Sequence, residues 1–386
     1  MAEPFRFQTV PTLVVEFGAA RRLGALLRER YPTLARLCLV TDGFLHRSGL
    51  LGPALADLNE HGWSVTVLDN VVADPPEHVV LEAASRARDA QAQLVVGLGG
   101  GSSMDVAKLL AVLLASQQAL SDMYGVNKVE GARLPLVQIP TTAGTGSEVT
   151  AVSIVTVGEA TKMGVVSPQL IADLAILDAE LTLGLPSAAT AATGIDAMVH
   201  AIEAYTSARL KNPISDMLAL RALQLLSTNL LTACRDGQDR TAREAMLLGA
   251  TFAGQAFANA PVAAVHALAY PIGGIYHVPH GLSNALVLPH VLKFNAPAAA
   301  PLYAELAAAV SPSASGNAQE RTRALIEHVE HLIAETGIPS TLRDVGIERD
   351  GLARMAKDAM LQQRLLVNNP RPVTEADALG IYTAAF

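Results

Sequence analysis

The run Gly194-Ile-Asp196-Ala-Met-Val-His200-Ala-Ile-Glu203 sets an acid and an imidazole four residues apart. In a helix that spacing puts Asp196 and His200 on one face, with Glu203 near the same side. Downstream, His266, His277, His280 and His290 lie in a stretch from Ala245 to Leu292 that holds no Asp, Glu, Lys or Arg. Several imidazoles and one carboxylate, with little competing charge, suit a divalent cation such as Fe²⁺ or Zn²⁺. Hydrogen-bonded core histidines account for the same residues taken singly, so the spacing leaves both readings open. A helix followed by a turn at Pro279-His280-Gly281 spans the step from His266 to His280.

A second group of residues suits a nucleotide. Leu94-Val-Val-Gly-Leu-Gly-Gly-Gly-Ser-Ser-Met-Asp-Val-Ala-Lys108 reads as a strand, a glycine turn and a helix start. Gly99, Gly100 and Gly101 carry no Cβ, so a ligand can approach the backbone. Ser102 or Ser103 is expected to cap the helix, with Asp105 placed as in a capping box. The unpaired N–H groups of such a helix start form an anion site suited to pyrophosphate. The run is neither G-x-G-x-x-G nor a Walker A loop, and a tight turn before a capped helix is the plainer alternative. A second loop, Pro140-Thr-Thr-Ala-Gly-Thr-Gly-Ser-Glu148, offers the hydroxyls of Thr141, Thr142, Thr145 and Ser147 at a strand end. Asp42 also ends a predicted strand. An acid there binds the ribose hydroxyls of NAD and repels the 2′-phosphate of NADP, or else simply opens an Asp-Gly turn.

These residues need a scaffold that brings strand ends and helix faces together. Strands are predicted at 13–17, 37–41, 64–68, 94–98, 134–139, 163–167 and 174–177, with helices such as 19–30, 78–90 and 103–115 between them. That alternation implies a parallel sheet with ligands beyond its carboxyl ends. After Pro186 the strand signal stops, and helices are predicted at 187–205, 214–235, 240–258, 281–294, 319–335 and 374–385. The expected fold is therefore α/β followed by all-α. A nucleotide-binding domain covers 1–185, and a helical metal-binding and catalytic domain covers 186–386.

Composition limits the alternatives. Of 386 residues, 51% are apolar and only 17% charged, against about 25% charged in an average domain. The net charge is −8 and no Lys/Arg cluster occurs, which argues against nucleic-acid binding. Pro261, Pro271, Pro279 and Pro289 break the uncharged stretch, so no membrane span is expected there. The start MAEPFRFQTV lacks the pattern of a signal peptide. Cys38 and Cys234 suggest no disulfide scaffold, and a reducing cytoplasm is the expected compartment. The apolar excess leaves room for a homodimer or larger homo-oligomer.

Together the four motifs resemble the iron-dependent (group III) alcohol dehydrogenase family through nearly the whole chain. They are the glycine loop, the Thr-rich loop, Asp-Ala-Met-Val-His-Ala-Ile-Glu and His-x₁₃-His-Gly. The resemblance implies a dehydroquinate synthase-like fold and a metal held by Asp196, His200, His266 and His280. It also implies NAD contacts from Asp42, Gly99, Gly100, Gly101, Ser102, Thr141, Thr142, Thr145, Ser147 and Lys162. The implied reaction moves hydride between NAD and a short aliphatic alcohol or diol, with the metal as Lewis acid. A reductase of oxo-acids or maleylacetate, a glycerol-type polyol dehydrogenase and a catalytically silent NAD- or metal-binding protein are the alternatives.

The chain departs from the family pattern at three places. Tyr270 stands where many members carry histidine, His277 where many have asparagine, and Asp74-Pro75 replaces Asn-Pro. His277 is expected to exchange protons with solvent, because imidazole ordinarily titrates near neutrality. Tyr270 is expected to pack on the nicotinamide ring or orient substrate. Alternatively, both residues only line the cavity.

Overall fold

The computed structural model describes residues 4–158, 161–311 and 314–386. The chain divides into two compact units, Thr9–Thr142 with Ser147–Leu183, and Met1–Gln8 with Ala143–Gly146 and Gly184–Phe386. The boundary near residue 184 is where the strand signal stops. The tip of the Thr-rich loop and residues 4–8 go with the helical unit.

The first unit holds strands β1 (Leu13–Val15), β2 (Arg36–Asp42), β3 (Ser64–Val71), β4 (Leu94–Gly99), β5 (Gly125–Val126), β6 (Leu136–Pro140), β7 (Val152–Val157), β8 (Thr161–Val166) and β9 (Leu174–Leu177). Its helices are α1 (Leu23–Arg30), α2 (Gly43–Ser48), α3 (Gly52–Glu60), α4 (Glu77–Asp89) and α5 (Gly101–Ala115). Six strands form a parallel sheet in the order β1-β9-β6-β4-β2-β3. Side chains alternate across β2 and β4 and feed two cores. Cys38, Val40 and Val95 face α4 and α5. Leu37, Leu39, Leu94, Val96 and Leu98 face α1 and α3. Burial on both faces explains why these strands read as continuous apolar runs. From β2 the chain runs outward to β3 and returns to β4, so the β2/β4 crevice is the topological switch point.

Several features depart from the sequence reading. Neither β5 nor β7 had a counterpart in it, and β7 pairs antiparallel with β8 in a separate sheet β5-β8-β7. The short helices α2 and α3 were also absent. The cap of α5 is different as well. Gly100 occupies the N-cap with no side-chain cap hydrogen bond, and Asp105 accepts instead from Ser147 Oγ at 2.6 Å and Ile154 N at 2.9 Å.

The second unit is helical: α6 (Ser187–Thr206), α7 (Pro213–Arg235), α8 (Arg240–Asn259), α9 (Ala264–Tyr276), α10 (His280–Val310), α11 (Ala318–Thr336), α12 (Gly351–Ala359), α13 (Gln363–Leu366) and α14 (Glu375–Ala385). Helix α7 has the length and hydropathy of a membrane span, yet it packs on α6 and α8. Helix α10 runs well past the predicted stop at 294, with Pro289, Pro297 and Pro301 inside it. Each proline removes one backbone donor, and burial against α6, α9 and α11 offsets that loss.

Candidate metal centre and cofactor cavity

Helix α6 presents Asp196 and His200 one turn apart on its buried face, and Glu203 lies on the same helix, also buried. Helix α9 supplies His266, and α10 begins at His280. The last placement needs Gly281, because a Cβ there would collide with the Ala192 carbonyl of α6. Ligand atoms of Asp196, His200 and His266 all lie within 4.8 Å of one another. The Nε2 atoms of His280, His266 and His200 stand 3.7, 3.8 and 4.0 Å from Asp196 Oδ1. The His200 ring stacks between those of Phe257 and His266, with centroids at 4.3 and 4.8 Å.

A carboxylate can only accept a hydrogen bond, so the 2.7 Å contact of His266 Nδ1 with Glu203 Oε2 places the proton on Nδ1. His266 Nε2 therefore keeps its lone pair toward Asp196. Glu203 also accepts from Ala263 N and Val265 N at 2.9 and 2.7 Å, which locks its position. Asn284 Nδ2 donates to Asp196 Oδ1 at 2.6 Å and lies 3.3–3.4 Å from Nε2 of His280 and His266. Its own Oδ1 is buried without a hydrogen-bond partner among the described residues.

Burial pushes His200 down to about 3, with Asp196 opposing, so its imidazole is neutral. Burial works against ionised Asp196. The hydrogen bond donated by Asn284 Nδ2 favours the ionised form. A buried anion faced by imidazole lone pairs is a donor set for a divalent cation. These residues fit such an ion.

Two family models cover most of the sequence: iron-containing alcohol dehydrogenase over residues 11–179, and the C-terminal part of the Fe-containing alcohol dehydrogenase family over 190–386. The chain belongs to the iron-containing alcohol dehydrogenase family. It is 42% identical over 369 residues to long-chain-alcohol dehydrogenase 1 of Geobacillus thermodenitrificans, covering 93% of each chain. It is 34% identical to the NAD-dependent methanol dehydrogenase of Bacillus methanolicus, covering 96% of this chain and 97% of that one. A crystal structure of 1,3-propanediol oxidoreductase superposes over the full length of both chains with a TM-score of 0.95 at 32% identity. The chain is a metal-dependent alcohol dehydrogenase.

In the α/β unit of this dehydrogenase, a cavity of about 620 Å³ opens at the carboxyl ends of β2 and β4. It brings together Asp42, Gly100, Gly101 and Ser102 of the expected cofactor residues. Asp42 Oδ1 caps α2 by accepting from Phe44 N and Leu45 N, both at 2.9 Å. Gly99 ends β4, where a Cβ would press on Ser103 Oγ at 2.7 Å. Thr142 borders Gly100, and Thr141 N donates to the Gly99 carbonyl.

Other expected contacts have partners of their own. Ser147 accepts from Lys108 Nζ at 2.7 Å and donates to Asp105. Lys162 pairs with Asp74 at 2.9 Å and donates to Thr156. Thr145 belongs to the loop tip that groups with the helical unit.

The sequence reading missed Asp69 and Asn70, which line the same cavity. They directly follow the predicted strand 64–68, and the true strand continues through them. A hydrogen bond from His46 holds Asp69 below the ordinary carboxylate pKa. Asn70 Oδ1 is buried without a partner among the described residues. Uncapped N–H groups on one side and carboxylates on the other fit a phosphate and a ribose diol.

Near the candidate metal residues, Tyr270 follows His266 by one turn of α9, its ring centroid 6.1 Å from that of His280. His277 is exposed at the C-cap of α9, in the left-handed region at φ 57°.

Proposed function

We propose that the enzyme interconverts a short aliphatic primary alcohol or diol with its aldehyde, using NAD. The convergence of Asp196, His200, His266 and His280 on one buried point carries this reading. The carbinol C–H bond gives hydride to the nicotinamide, the O–H proton leaves to solvent, and reduced cofactor and aldehyde balance the reaction. When bound, a divalent cation, Fe²⁺ foremost and Zn²⁺ second, supplies Lewis-acid polarisation of the substrate oxygen.

The chain's own residues supply geometry and proton traffic. Asp196 and the three imidazoles would hold the cation, and Glu203 and Asn284 aim their lone pairs. Tyr270 orients the substrate, and the exposed His277 passes the proton to solvent. Asp42 and Asp69, with the uncapped start of α5, receive the cofactor's ribose and phosphates and disfavour NADP. Gly99, Thr141, Thr142, Thr145, Ser147 and Lys162 shape that site or touch the cofactor. The NAD-dependent relative supports the cofactor choice, and the alcohol and diol dehydrogenases among the relatives support the substrate class. A cytoplasmic homo-oligomer completes the proposal, supported by the apolar composition.

The test follows NADH absorbance with methanol, 1-propanol, 1-butanol and 1,3-propanediol, before and after chelation and with Fe²⁺ or Zn²⁺ restored. Metal-dependent NADH formation is expected. Turnover of no alcohol under any metal condition would overturn the reading.

A further inference from the structure

We infer that Arg364 and Tyr270 form an anion-accepting site for the far end of the substrate, so that the preferred alcohol carries a carboxylate a few carbons from its hydroxyl. The inference rests on the dehydrogenase reading above and names its substrate class. The metal ligands differ in access. The side chains of Asp196, His200 and His266 are 2–5% exposed, but that of His280 is 40% exposed. Substrate therefore reaches the centre from the His280 side. Tyr270 flanks that side, its ring centroid 6.1 Å from the His280 ring. Beyond it, in α13, Arg364 Nη2 donates to Tyr270 Oη at 3.2 Å, with its guanidinium carbon 5.8 Å from the Tyr270 ring centre.

Arg364 is exposed and forms no salt bridge with a carboxylate among the described residues. One donor is spent on Tyr270. The guanidinium has five, and its planar fork matches a carboxylate. Because Tyr270 accepts from Arg364, its own hydroxyl proton is available as a donor. Two donors side by side can take the two oxygens of one carboxylate.

The test compares kcat/KM of the metal-loaded enzyme with NAD for γ-hydroxybutyrate, 1,4-butanediol and 1-butanol. The hydroxy acid is expected to be preferred by about tenfold or more, as a hydrogen-bonded charge pair warrants. Arg364→Gln should lower the ratio of acid to 1-butanol about tenfold, chiefly through KM. Arg364→Lys should restore part of the ratio, and added salt should weaken it. Tyr270→Phe, which keeps the ring, should lower the ratio by a smaller factor and decides the matter if Arg364→Gln does not fold. Turnover of the alcohols with no preference for the acid, or a ratio unchanged by these variants, would overturn the inference alone. Failure to oxidise all three compounds would overturn the dehydrogenase reading as well.

Discussion

At the scale of single residues, the centre depends on where protons sit. Glu203 fixes the tautomer of His266, and metal ligands held by such outer contacts typically lose 10–100-fold in affinity when the contact is removed. Glu203→Gln keeps the shape but loses the charge, and its amide nitrogen cannot accept. Metal affinity, read by competition with a coloured chelator, should fall at least tenfold, and the Co²⁺ spectrum of the substituted protein should change. Unchanged affinity would show Glu203 to be a packing residue. His277 lies three residues before His280 and is open to solvent. His277→Ala should retain bound metal and alter the pH–rate profile. An unaltered profile would remove the proton-exchange role.

At the scale of elements, the glycine loop and the Thr-rich loop are tied together beneath the cofactor cavity. Lys108 of α5 is fully buried and donates to Ser147 Oγ, Thr150 Oγ1 and the Val152 carbonyl at 2.7, 3.1 and 2.6 Å. Burial lowers its pKa, and the Asp105 and Glu148 carboxylates oppose that shift. Lys108→Met would leave the three oxygens without the Lys108 donor and Asp105 without its facing cation, at a cost of roughly 3 kcal/mol. The urea midpoint should drop, and KM for NAD should rise more than kcat falls. An unshifted midpoint would refute the pinning role.

This network also shows what the sequence could reveal. The motif Gly99 to Lys108 was legible as a strand, a turn and a helix start, because local chain chemistry writes that pattern. The partners of Asp105 were not, because Ser147 and Ile154 come from the loop before β7 and from β7 itself, far along the chain. The long helix α10 was misread for a related reason. Its prolines are local breakers, and the contacts that override them are tertiary. Arg364 carried no signal in its own stretch, since its meaning comes from Tyr270, 94 residues earlier.

At the scale of the whole molecule, the proposed metal and cofactor residues fall largely in different units. Asp196, His200, His266 and His280 belong to the helical unit, and the cavity at Asp42, Asp69 and Gly100–Ser103 belongs to the α/β unit. The low charge content has a matching division. The uncharged stretch from Ala245 to Leu292 contains two of the four proposed metal ligands, whereas the proposed cofactor cavity keeps Asp42, Arg47 and Asp69. Two sites built on separate cores should fail separately. A ligand that binds only the folded state raises stability by RT ln(1 + [L]/Kd), about 2.7 kcal/mol at a hundred times Kd. Restoring Fe²⁺ or Zn²⁺ to chelated protein should therefore raise the melting temperature and recover turnover. NADH binding, measured by quenching or enhanced emission of the reduced cofactor, should survive chelation with its affinity changed less than about threefold, because no metal ligand lines the cavity. Loss of NADH binding together with the metal would mean that the two units bind as one.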